Sequence, residues 1–329
     1  MLHNIKVSGF SYRLRPVELR DAQFIIDVRL ENEDKSKYVH RISSDVELQK
    51  EWLLSYFEKH NDYYFVIENL FTNEPEGLIS IYNIEGNIAE WGRWVLKSGS
   101  LSAIESVSLI YKVAFEKLCL QEVYTHTVED NVSVVAFHET LGAKFRMVIP
   151  GEFKLGESVY NAVEQYVDSD YYYSNIARLL RDKCLKLFTR NCKNSIGMFK
   201  FHHYGVATES ITAYLDNYSG YAAEDEFTDP LQGVRGLFII TNSNERLELL
   251  ENLSDSNVLT PYFSNSDRIY HAGFYVKNID EALKFLVDKL KAKVVSEPKL
   301  SIFFKENICF LMLKNKFIIE LLQVQKNIY

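Results

Sequence analysis

HYGVAT, beginning at His203, and HAGFYV, beginning at His271, are two copies of one pattern: His-x-Gly followed by an apolar residue. Each copy is followed by Glu-Leu-Leu, at Glu248 and Glu320, after spacings of 248 − 203 = 45 and 320 − 271 = 49 residues. One structural unit has therefore been used twice, and each use contributes one imidazole and one carboxylate. Two His and two Glu suit a divalent metal, so we predict a metal site formed by these four residues.

The chain upstream of this repeat contains no such pair and forms a different module. The full length of 329 residues exceeds the usual domain size of about 100–200 residues. A hydrophobic content of 47% can supply two buried cores. We predict a first domain over residues 1–168, a helical connector over 169–198 and a second domain over 199–329.

The charge and the cysteines limit the partners and the compartment. The net charge is −8 and no basic block occurs, which argues against a nucleic-acid partner, because phosphate neutralisation needs clustered Lys and Arg. The four cysteines form no CxxC pair, and no apolar run reaches about 18 residues. We predict a cytoplasmic protein that does not insert into membranes and acts on small molecules. Whether it forms a homo-oligomer is left open.

Strand and helix patterns alternate in the first half of the chain. YRLRPV at residues 12–17 reads as a strand and precedes a helix over 19–31. Ser43-Ser44-Asp45 then begins an amphipathic helix, and a hairpin and the strand IAEWGRWVL follow. A long helix over 103–118, the strand EVYTHTV and a shorter helix over 133–141, ended by Gly142, complete the pattern. This order predicts an α/β domain.

Residues 12–148 resemble the GNAT family of acyl-CoA-dependent N-acyltransferases. The resemblance lies in the strand WGRWVL, the loop KSGSLSA, the long helix, the strand VYTHTVED and the run N-x-x-x-x-x-F-H-E-x-L-G from Asn131. It implies a mixed central sheet and a loop whose backbone amides bind the CoA pyrophosphate at a helix N-terminus. This loop is rich in Ser instead of the family's usual basic residues and Gly. The acyl-CoA-binding residues that it implies are Val95, Lys97, Ser98, Gly99, Ser100, Ser102, Ala103 and Asn131.

The same resemblance implies residues for catalysis and for the acceptor. His138 occupies the position where many members carry the Tyr that protonates the departing thiolate, and an imidazole can also transfer protons. Glu90 could accept the amine proton, directly or through water. Each side chain could instead be structural. The acceptor-binding candidates are His40, Arg41, Ser43, Trp91 and Arg93, and the two arginines could contact a diphosphate or form ion pairs.

The runs FHETLG and EWGRWV resemble a branch of the family that acylates nucleotide-linked amino-deoxy sugars. Such sugars are precursors of bacterial surface polysaccharides, including the lipopolysaccharide O-antigen. The resemblance implies a dTDP- or UDP-linked acceptor and an acyl-CoA donor. The donor could be acetyl-CoA or 3-hydroxybutyryl-CoA.

Residues 199–325 resemble the vicinal-oxygen-chelate superfamily, which includes the glyoxalases and methylmalonyl-CoA epimerases. The stretches LFIITNSNERLELLEN and YHAGFYVKNIDEALKFL carry the likeness. It implies paired βαβββ modules, an α+β fold class for the whole chain, and metal ligation by His203, Glu248, His271 and Glu320. The helix of the first module is shortened to ITAYLDN, which also suits a retained fold without catalysis. Strand alternation points His202 to the opposite face, so we predict that it is a neighbour of the site and not a ligand.

Three hypotheses follow. The first is an amino-sugar N-acyltransferase with a companion second domain. The second is a bifunctional enzyme in which a metal-dependent second domain also epimerises or isomerises a substrate. The third is a non-catalytic acyl-CoA sensor.

Overall fold

The computed structural model describes residues 2–31, 38, 42–216, 218, 220–230, 232–263 and 268–324. The chain divides into two compact units, Met1–Leu185 and Lys186–Tyr329, and each is built on one eight-stranded sheet. Within the described ranges, no helix has the length and apolar character needed to cross a bilayer.

The N-terminal unit has a mixed sheet, as predicted. Its neighbouring strands are antiparallel except for β5 and β6, which are parallel. The spatial order is β1-β2-β3-β4-β5-β6-β8-β7. The strands are β1 (Val7–Ser8), β2 (Tyr12–Pro16), β3 (Tyr63–Asn69), β4 (Pro75–Glu85), β5 (Ile88–Leu96), β6 (Glu122–Val128), β7 (Lys144–Leu155) and β8 (Ser158–Asp168).

The N-terminal helices match the predicted pattern to within a few residues. A short 3₁₀ turn, Leu19–Asp21, replaces the start of the first predicted helix. Asp45 begins the second helix, because its side chain accepts hydrogen bonds from the amides of Glu47 and Leu48. The helices are α1 (Ala22–Leu30), α2 (Val46–Phe57), α3 (Ala103–Lys112), which continues as a π turn (Val113–Lys117), and α4 (Val132–Thr140).

The sheet of the N-terminal unit separates at its centre. β5 and β6 pair only over Ile88–Glu90 and Glu122–Tyr124. Beyond this point the register between β4 and β5 shifts by one residue, and Arg93 takes a positive φ of 49°. A bulge of this kind bends a strand and increases its twist. β5 therefore turns away from β6 after Glu90.

The C-terminal unit consists of two similar halves, which confirms the predicted paired modules. Its strand order is β10-β11-β12-β9-β13-β16-β15-β14. β9 and β13 pair antiparallel at the centre, and each pairs parallel with the last strand of its own module. The strands are β9 (Phe199–Ala207), β10 (Tyr221–Asp229), β11 (Val234–Thr241), β12 (Arg246–Asn252), β13 (Ile269–Val276), β14 (Lys293–Leu300), β15 (Asn307–Met312) and β16 (Ile318–Gln323).

A helical run lies between the two sheets in the chain. Ser169–Tyr171 and a π turn, Tyr172–Ile176, lead into α5 (Ala177–Ile196), and the division between the compact units falls inside α5. The first C-terminal module has the five-residue helix α6 (Ile211–Leu215), whereas the second has the twelve-residue α7 (Ile279–Leu290). The first helix is therefore shortened, as its sequence predicts. A 3₁₀ turn, Thr260–Tyr262, precedes β13.

Candidate functional site

The separation of β5 and β6 forms a cavity of about 980 Å³ in the N-terminal unit. Residues 90–96 of β5 and 125–128 of β6 line it, together with parts of α1, α2, α4 and β7. Pockets for small molecules usually measure about 300–1,000 Å³, so this one can contain parts of two substrates. Because side chains alternate along strands, the residues at the opening belong to two different faces of the sheet.

The first face is apolar and surrounds His138. This imidazole lies 5.1 Å from the ring of Trp91 and 6.0 Å from that of Trp94. Its Nδ1 is 3.4 Å from the hydroxyl of Thr125. Burial lowers the pKa of His138 to about 4. At neutral pH His138 is therefore uncharged, and it can offer the thiolate only the N–H of a neutral imidazole, which is a weak acid. Its predicted role stays a prediction.

The second face is polar and carries Glu90. Both carboxylate oxygens already accept hydrogen bonds: Oε1 from the hydroxyl of Tyr82 and Oε2 from the amide of Asn83, each at 2.9 Å. Burial, reinforced by the Glu90 carboxylate, raises the pKa of Tyr82, so the phenol stays protonated and continues to donate. Glu90 lines the cavity, and each of its carboxylate oxygens already accepts one hydrogen bond; its predicted role stays a prediction.

Beside Glu90 lies a histidine that the sequence reasoning missed. His126 Nε2 is 2.9 Å from Glu164 Oε2, and His126 Nδ1 is 3.8 Å from Glu90 Oε1. The other oxygen of Glu164 accepts from Arg146 at 2.9 Å. His126 and Glu164 lie directly opposite each other on β6 and β8, in a register that no local pattern reveals. One signal points to His126: it is the middle residue of Thr125-His126-Thr127, which directly follows Tyr124, the last residue of β6 that pairs with β5.

The predicted CoA loop is held by hydrogen bonds to two carboxylates elsewhere in the N-terminal unit. The hydroxyl of Ser100 donates to Glu76 at 2.7 Å, and the backbone amide of Ser98 donates to the carboxylate of Glu31 at 2.7 Å. Ser102 is buried and makes no side-chain cap for α3, although the N–H groups of a first helical turn have no partner within the helix. Val95 and Asn131 line the cavity. The remaining predicted residues, Lys97, Ser98, Gly99, Ser100, Ser102 and Ala103, do not line it.

Only some of the predicted acceptor residues lie at the cavity. Trp91 and Arg93 line the cavity. Arg93 Nη1 contacts both oxygens of the buried Asp62 at 2.7 and 2.9 Å, which favours the ion-pair alternative over a diphosphate contact. Ser43 is exposed and accepts a hydrogen bond from the Asp45 amide near the start of α2. His40 and Arg41 lie outside the described residues.

The four predicted metal ligands of the C-terminal unit converge. His203, Glu248, His271 and Glu320 are buried, and their ligand atoms all lie within 4.8 Å of one another. The two Nε2 atoms are 3.0 Å apart, and the four imidazole-to-carboxylate distances are 3.2, 3.2, 3.3 and 3.6 Å. Ligands about 2.1 Å from a metal are separated by about 3.0 Å at right angles and about 3.4 Å at tetrahedral angles. The geometry therefore fits a divalent cation.

Two glycines make room for the imidazoles. A Cβ atom on Gly205 would lie 1.9 Å from the ring of His271, and one on Gly273 would lie 2.2 Å from the ring of His203. His271 lies opposite Gly205 in the pairing of β9 with β13, and Gly273 lies opposite His203. The glycine of each His-x-Gly motif thus serves the histidine of the other copy, which explains why the two residues repeat together.

The charges of the cluster depend on one another. Burial alone would lower the pKa of His203, but the carboxylates of Glu248 and Glu320 outweigh it and raise the pKa to about 9. The same carboxylates raise the pKa of His271 against its burial, and the imidazoles lower the pKa of Glu248 against the burial of that carboxylate. The two buried carboxylates, Glu248 and Glu320, therefore stabilise positive charge within the cluster.

His202 is a neighbour of the cluster and not one of its four converging residues, as predicted, but strand alternation does not give its position. β9 has an extra residue at this position, because the register moves from His203 opposite Gly273 to Phe201 opposite Phe274. This bulge interrupts strand alternation. His202 Nδ1 lies 2.8 Å from His203 Nδ1, and its Nε2 is 3.1 Å from the hydroxyl of Tyr275. His202 therefore orients a predicted ligand, as outer partners of metal-binding histidines do.

The cluster lies at a cavity of about 250 Å³ within the C-terminal unit. Glu248, His271 and Glu320 form its polar end. The rest of the lining combines aromatic and aliphatic side chains with a few polar ones. The aromatic residues are Phe227, Tyr262, Tyr270, Phe303, Phe304 and Phe310, and the polar ones are Asp229, Gln232, Ser296, Lys299 and Ser301. The cavity can hold a small molecule with an apolar body and oxygen atoms at one end.

Family models match a part of each half of the chain. Residues 12–144 match the family model of the acetyltransferase (GNAT) domain, and residues 202–304 match that of the glyoxalase/bleomycin resistance protein/dioxygenase superfamily. Both resemblances seen in the sequence are confirmed. Comparison with curated protein sequences finds no significant match.

Several similar solved structures each cover about half of the chain. One, described as apo FdhC, a nucleotide-linked sugar GNAT, is 27% identical with a TM-score of 0.46, over 54% of this chain and 98% of that one. Another is the spermidine N-acetyltransferase of Vibrio cholerae in complex with CoA and spermine. It is 19% identical with a TM-score of 0.45, over 50% of this chain and 99% of that one.

Proposed function

We propose that the N-terminal unit, which is an acyl-CoA-dependent N-acyltransferase domain of the GNAT family, acylates the amine of a nucleotide-linked amino-deoxy sugar. The observation that carries the proposal is the cavity between β5 and β6, which reaches both faces of the sheet. The acyl thioester and the amine can thereby meet at one point from different sides.

The two faces suit different substrates. The face with Trp91, Thr125 and His138 is apolar and suits the pantetheine arm and the acyl group. The opposite face, with Tyr82, Glu90 and His126, offers polar contacts that suit a sugar amine. Backbone donors on the free edge of β5 after Glu90 can stabilise the oxyanion that forms on the thioester carbonyl.

The sugar class rests on the resemblance of EWGRWV and FHETLG to the amino-sugar branch. A dTDP- or UDP-linked amino-deoxyhexose is the acceptor that this likeness implies, as a precursor of bacterial surface polysaccharide. The donor is acetyl-CoA or 3-hydroxybutyryl-CoA, and the reaction belongs in the cytoplasm, where acyl-CoA is made.

Thiol release tests the proposal directly. Each acyl-CoA is mixed with dTDP- and UDP-amino-deoxyhexoses, with spermidine and with a peptide bearing a free N-terminus. We expect release with a nucleotide sugar and little with the other amines. Release only with spermidine or peptide would contradict the sugar assignment. Tight acyl-CoA binding without release to any amine would favour the sensor hypothesis instead.

A second function is supported by the His/Glu cluster. We propose that His203, Glu248, His271 and Glu320 hold a divalent metal. When bound, such a metal polarises an oxygen-bearing substrate in the cavity of about 250 Å³. The residues of the chain contribute ligation, the orientation of His203 by His202, and an aromatic wall that limits water.

Metal content and deuterium exchange test this second function. We expect one metal per chain by elemental analysis, and loss of that metal in His271→Ala with the fold intact by circular dichroism. Chelation should leave thiol release unchanged, because the acyltransferase site uses none of these residues. Deuterium incorporation from solvent into a substrate, lost in His271→Ala, would support the bifunctional hypothesis. A purified chain that takes up no Zn²⁺, Mn²⁺ or Co²⁺ would contradict metal binding.

A further inference from the structure

We propose that His126 takes the proton from the acceptor amine and that Glu164 is the positioning residue that holds it ready. This inference rests on the proposed acyl transfer. It assigns the proton-accepting role to a residue that the family resemblance does not point to, on the polar face of the β5–β6 opening.

The hydrogen bond to Glu164 fixes the tautomer of His126. Glu164 Oε2, at 2.9 Å from His126 Nε2, is a carboxylate oxygen and can only accept. Nε2 must therefore carry the hydrogen, which leaves the lone pair on Nδ1. Glu164 is itself held by Arg146, which also contacts Glu122 at 2.6 Å. An ordered chain of charged groups thus orients the imidazole.

The hydrogen bonds already present distinguish His126 from Glu90. Each carboxylate oxygen of Glu90 accepts one hydrogen bond, from Tyr82 or Asn83, so a substrate proton would share its oxygen with an existing donor. No described residue donates a hydrogen bond to His126 Nδ1, whose nearest recorded charged neighbour is Glu90 Oε1 at 3.8 Å. That distance leaves Nδ1 available to a hydrogen-bonded amine. His126 is therefore the better placed acceptor.

Charged and aromatic groups surround His126 on the polar face. Glu90 faces it from β5 and Glu164 from β8, and Arg146 on β7 acts through Glu164. The ring of Tyr124 on β6 lies 5.2 Å away, and Tyr82 on β4 acts through Glu90. His138 lacks this arrangement, because it lies on the apolar face among Trp91, Trp94 and Phe137.

The proton balance of the reaction is as follows. The acceptor arrives as an ammonium ion and gives one proton to His126 Nδ1. The freed nitrogen lone pair attacks the thioester carbonyl, a C–N bond forms and the C–S bond breaks. The second nitrogen proton ends on the departing sulfur, which gives the amide and the free thiol of CoA. His126 then returns its proton to solvent, so that one H⁺ is released per turnover.

The test compares His126→Gln and Glu164→Gln with His60→Gln, which removes an exposed histidine that does not line the cavity. Thiol release is measured from pH 6 to 10 with acetyl-CoA and the best amine among dTDP- and UDP-amino-deoxyhexoses, spermidine and the peptide. General-base catalysis contributes about 10²–10⁴-fold, so we expect kcat/KM to fall at least about 100-fold at pH 7 in His126→Gln. The loss should shrink as pH rises and the amine deprotonates unaided. Glu164→Gln should lower kcat more than it raises KM.

Imidazole ¹⁵N spectra give a second readout that needs no turnover. We expect wild-type His126 to be the Nε2–H tautomer and Glu164→Gln to lose that preference. An unchanged pH profile in His126→Gln, or an Nδ1–H tautomer in the wild type, would overturn the inference. Activity on spermidine alone would refute the sugar assignment while still testing His126. If no amine is acylated, proton acceptance is overturned together with the proposed function.

Discussion

In the N-terminal sheet the central strands β5 and β6 stop pairing after Glu90 and Tyr124, whereas in the C-terminal sheet β9 and β13 stay paired from Ile269 to Val276. The first arrangement gives a cavity of about 980 Å³ that reaches both faces. The second brings four side chains within 4.8 Å and leaves a cavity of about 250 Å³. Separation of strands makes space for two substrates, and continued pairing makes a small site with converging charges.

The largest expected effect concerns the His/Glu cluster of the C-terminal unit. Gly205→Ala places a Cβ 1.9 Å from the His271 ring, so the imidazole must move. We expect metal affinity to fall by about 100-fold and the C-terminal unit to lose about 1–3 kcal/mol of stability. Calorimetric titration with Zn²⁺ and urea unfolding measure the two effects.

Gly236→Ala is the matched control for this change. Its Cβ would lie 2.2 Å from the ring of Phe227, which is no predicted ligand. It should destabilise the unit to a similar extent but bind metal nearly normally. Equal metal affinity in Gly205→Ala and the wild type would show that the glycine does not seat the ligand.

Because His138 is buried on the apolar face of the N-terminal cavity, we expect the stability of the N-terminal unit to depend on pH. The pKa of His138 is about 4 in the folded chain and about 6.5 when unfolded, so the unfolded chain binds more protons between these values. Stability is therefore present above pH 6.5 and falls by up to about 3 kcal/mol as the pH drops to 4.

His138→Gln should lack this part of the acid loss. All three tryptophans, Trp52, Trp91 and Trp94, belong to the N-terminal unit, so their fluorescence follows its unfolding by urea at each pH. An identical acid loss in wild type and variant would mean that His138 is not buried in its neutral form.

A smaller effect distinguishes an ion pair from a substrate contact at the polar face. Arg93→Gln leaves the buried carboxylate of Asp62 unpaired, and we expect a loss of about 2 kcal/mol, since Arg93 is itself partly exposed. The double variant Asp62→Asn/Arg93→Gln should recover much of it. The KM for the nucleotide sugar should change little in the double variant. A large rise of that KM, with stability recovered, would restore Arg93 as a diphosphate ligand.

The smallest effect lies at the predicted CoA loop. The Glu31 carboxylate accepts from the Ser98 amide, a donor that a pyrophosphate would also use. Glu31→Gln removes the competing charge, and we expect acyl-CoA to bind a few-fold more tightly, about 0.5 kcal/mol. Glu58→Gln, at the exposed end of α2, is the control. Weaker binding in Glu31→Gln alone would show that Glu31 supports the loop.

Most of the fold could be predicted because it rests on local signals. The apolar alternation of the strands, the Asp45 cap and the repeated His-x-Gly motif are each visible within a few residues. The two predicted modules of the C-terminal unit and its shortened first helix followed from these signals. The convergence of His203, Glu248, His271 and Glu320 could be predicted as well, because repetition ties each residue to an equivalent one.

The errors and omissions involve register. His202 was correctly predicted to be a neighbour and not a ligand, but its face was wrong because a single extra residue in β9 cannot be read from alternation. His126 was missed because Glu164, 38 residues away, becomes its neighbour only when β6 pairs with β8. The bulge at Arg93 depends on a positive φ in a residue type that rarely adopts one, so the residue pattern alone did not indicate it; only the family resemblance implied a splayed strand at WGRWVL.

The exchange of glycines between the two His-x-Gly copies has a consequence for the origin of the C-terminal unit. A single module would have one imidazole, one carboxylate and one glycine, and that glycine makes room for the imidazole of the other module. Two identical modules related by a twofold axis through the β9–β13 junction would supply everything that each one lacks. The C-terminal unit is then equivalent to a fused twofold dimer, in which the outer strands of either half can change while the central pair β9 and β13 is constrained because each strand needs the glycine of the other.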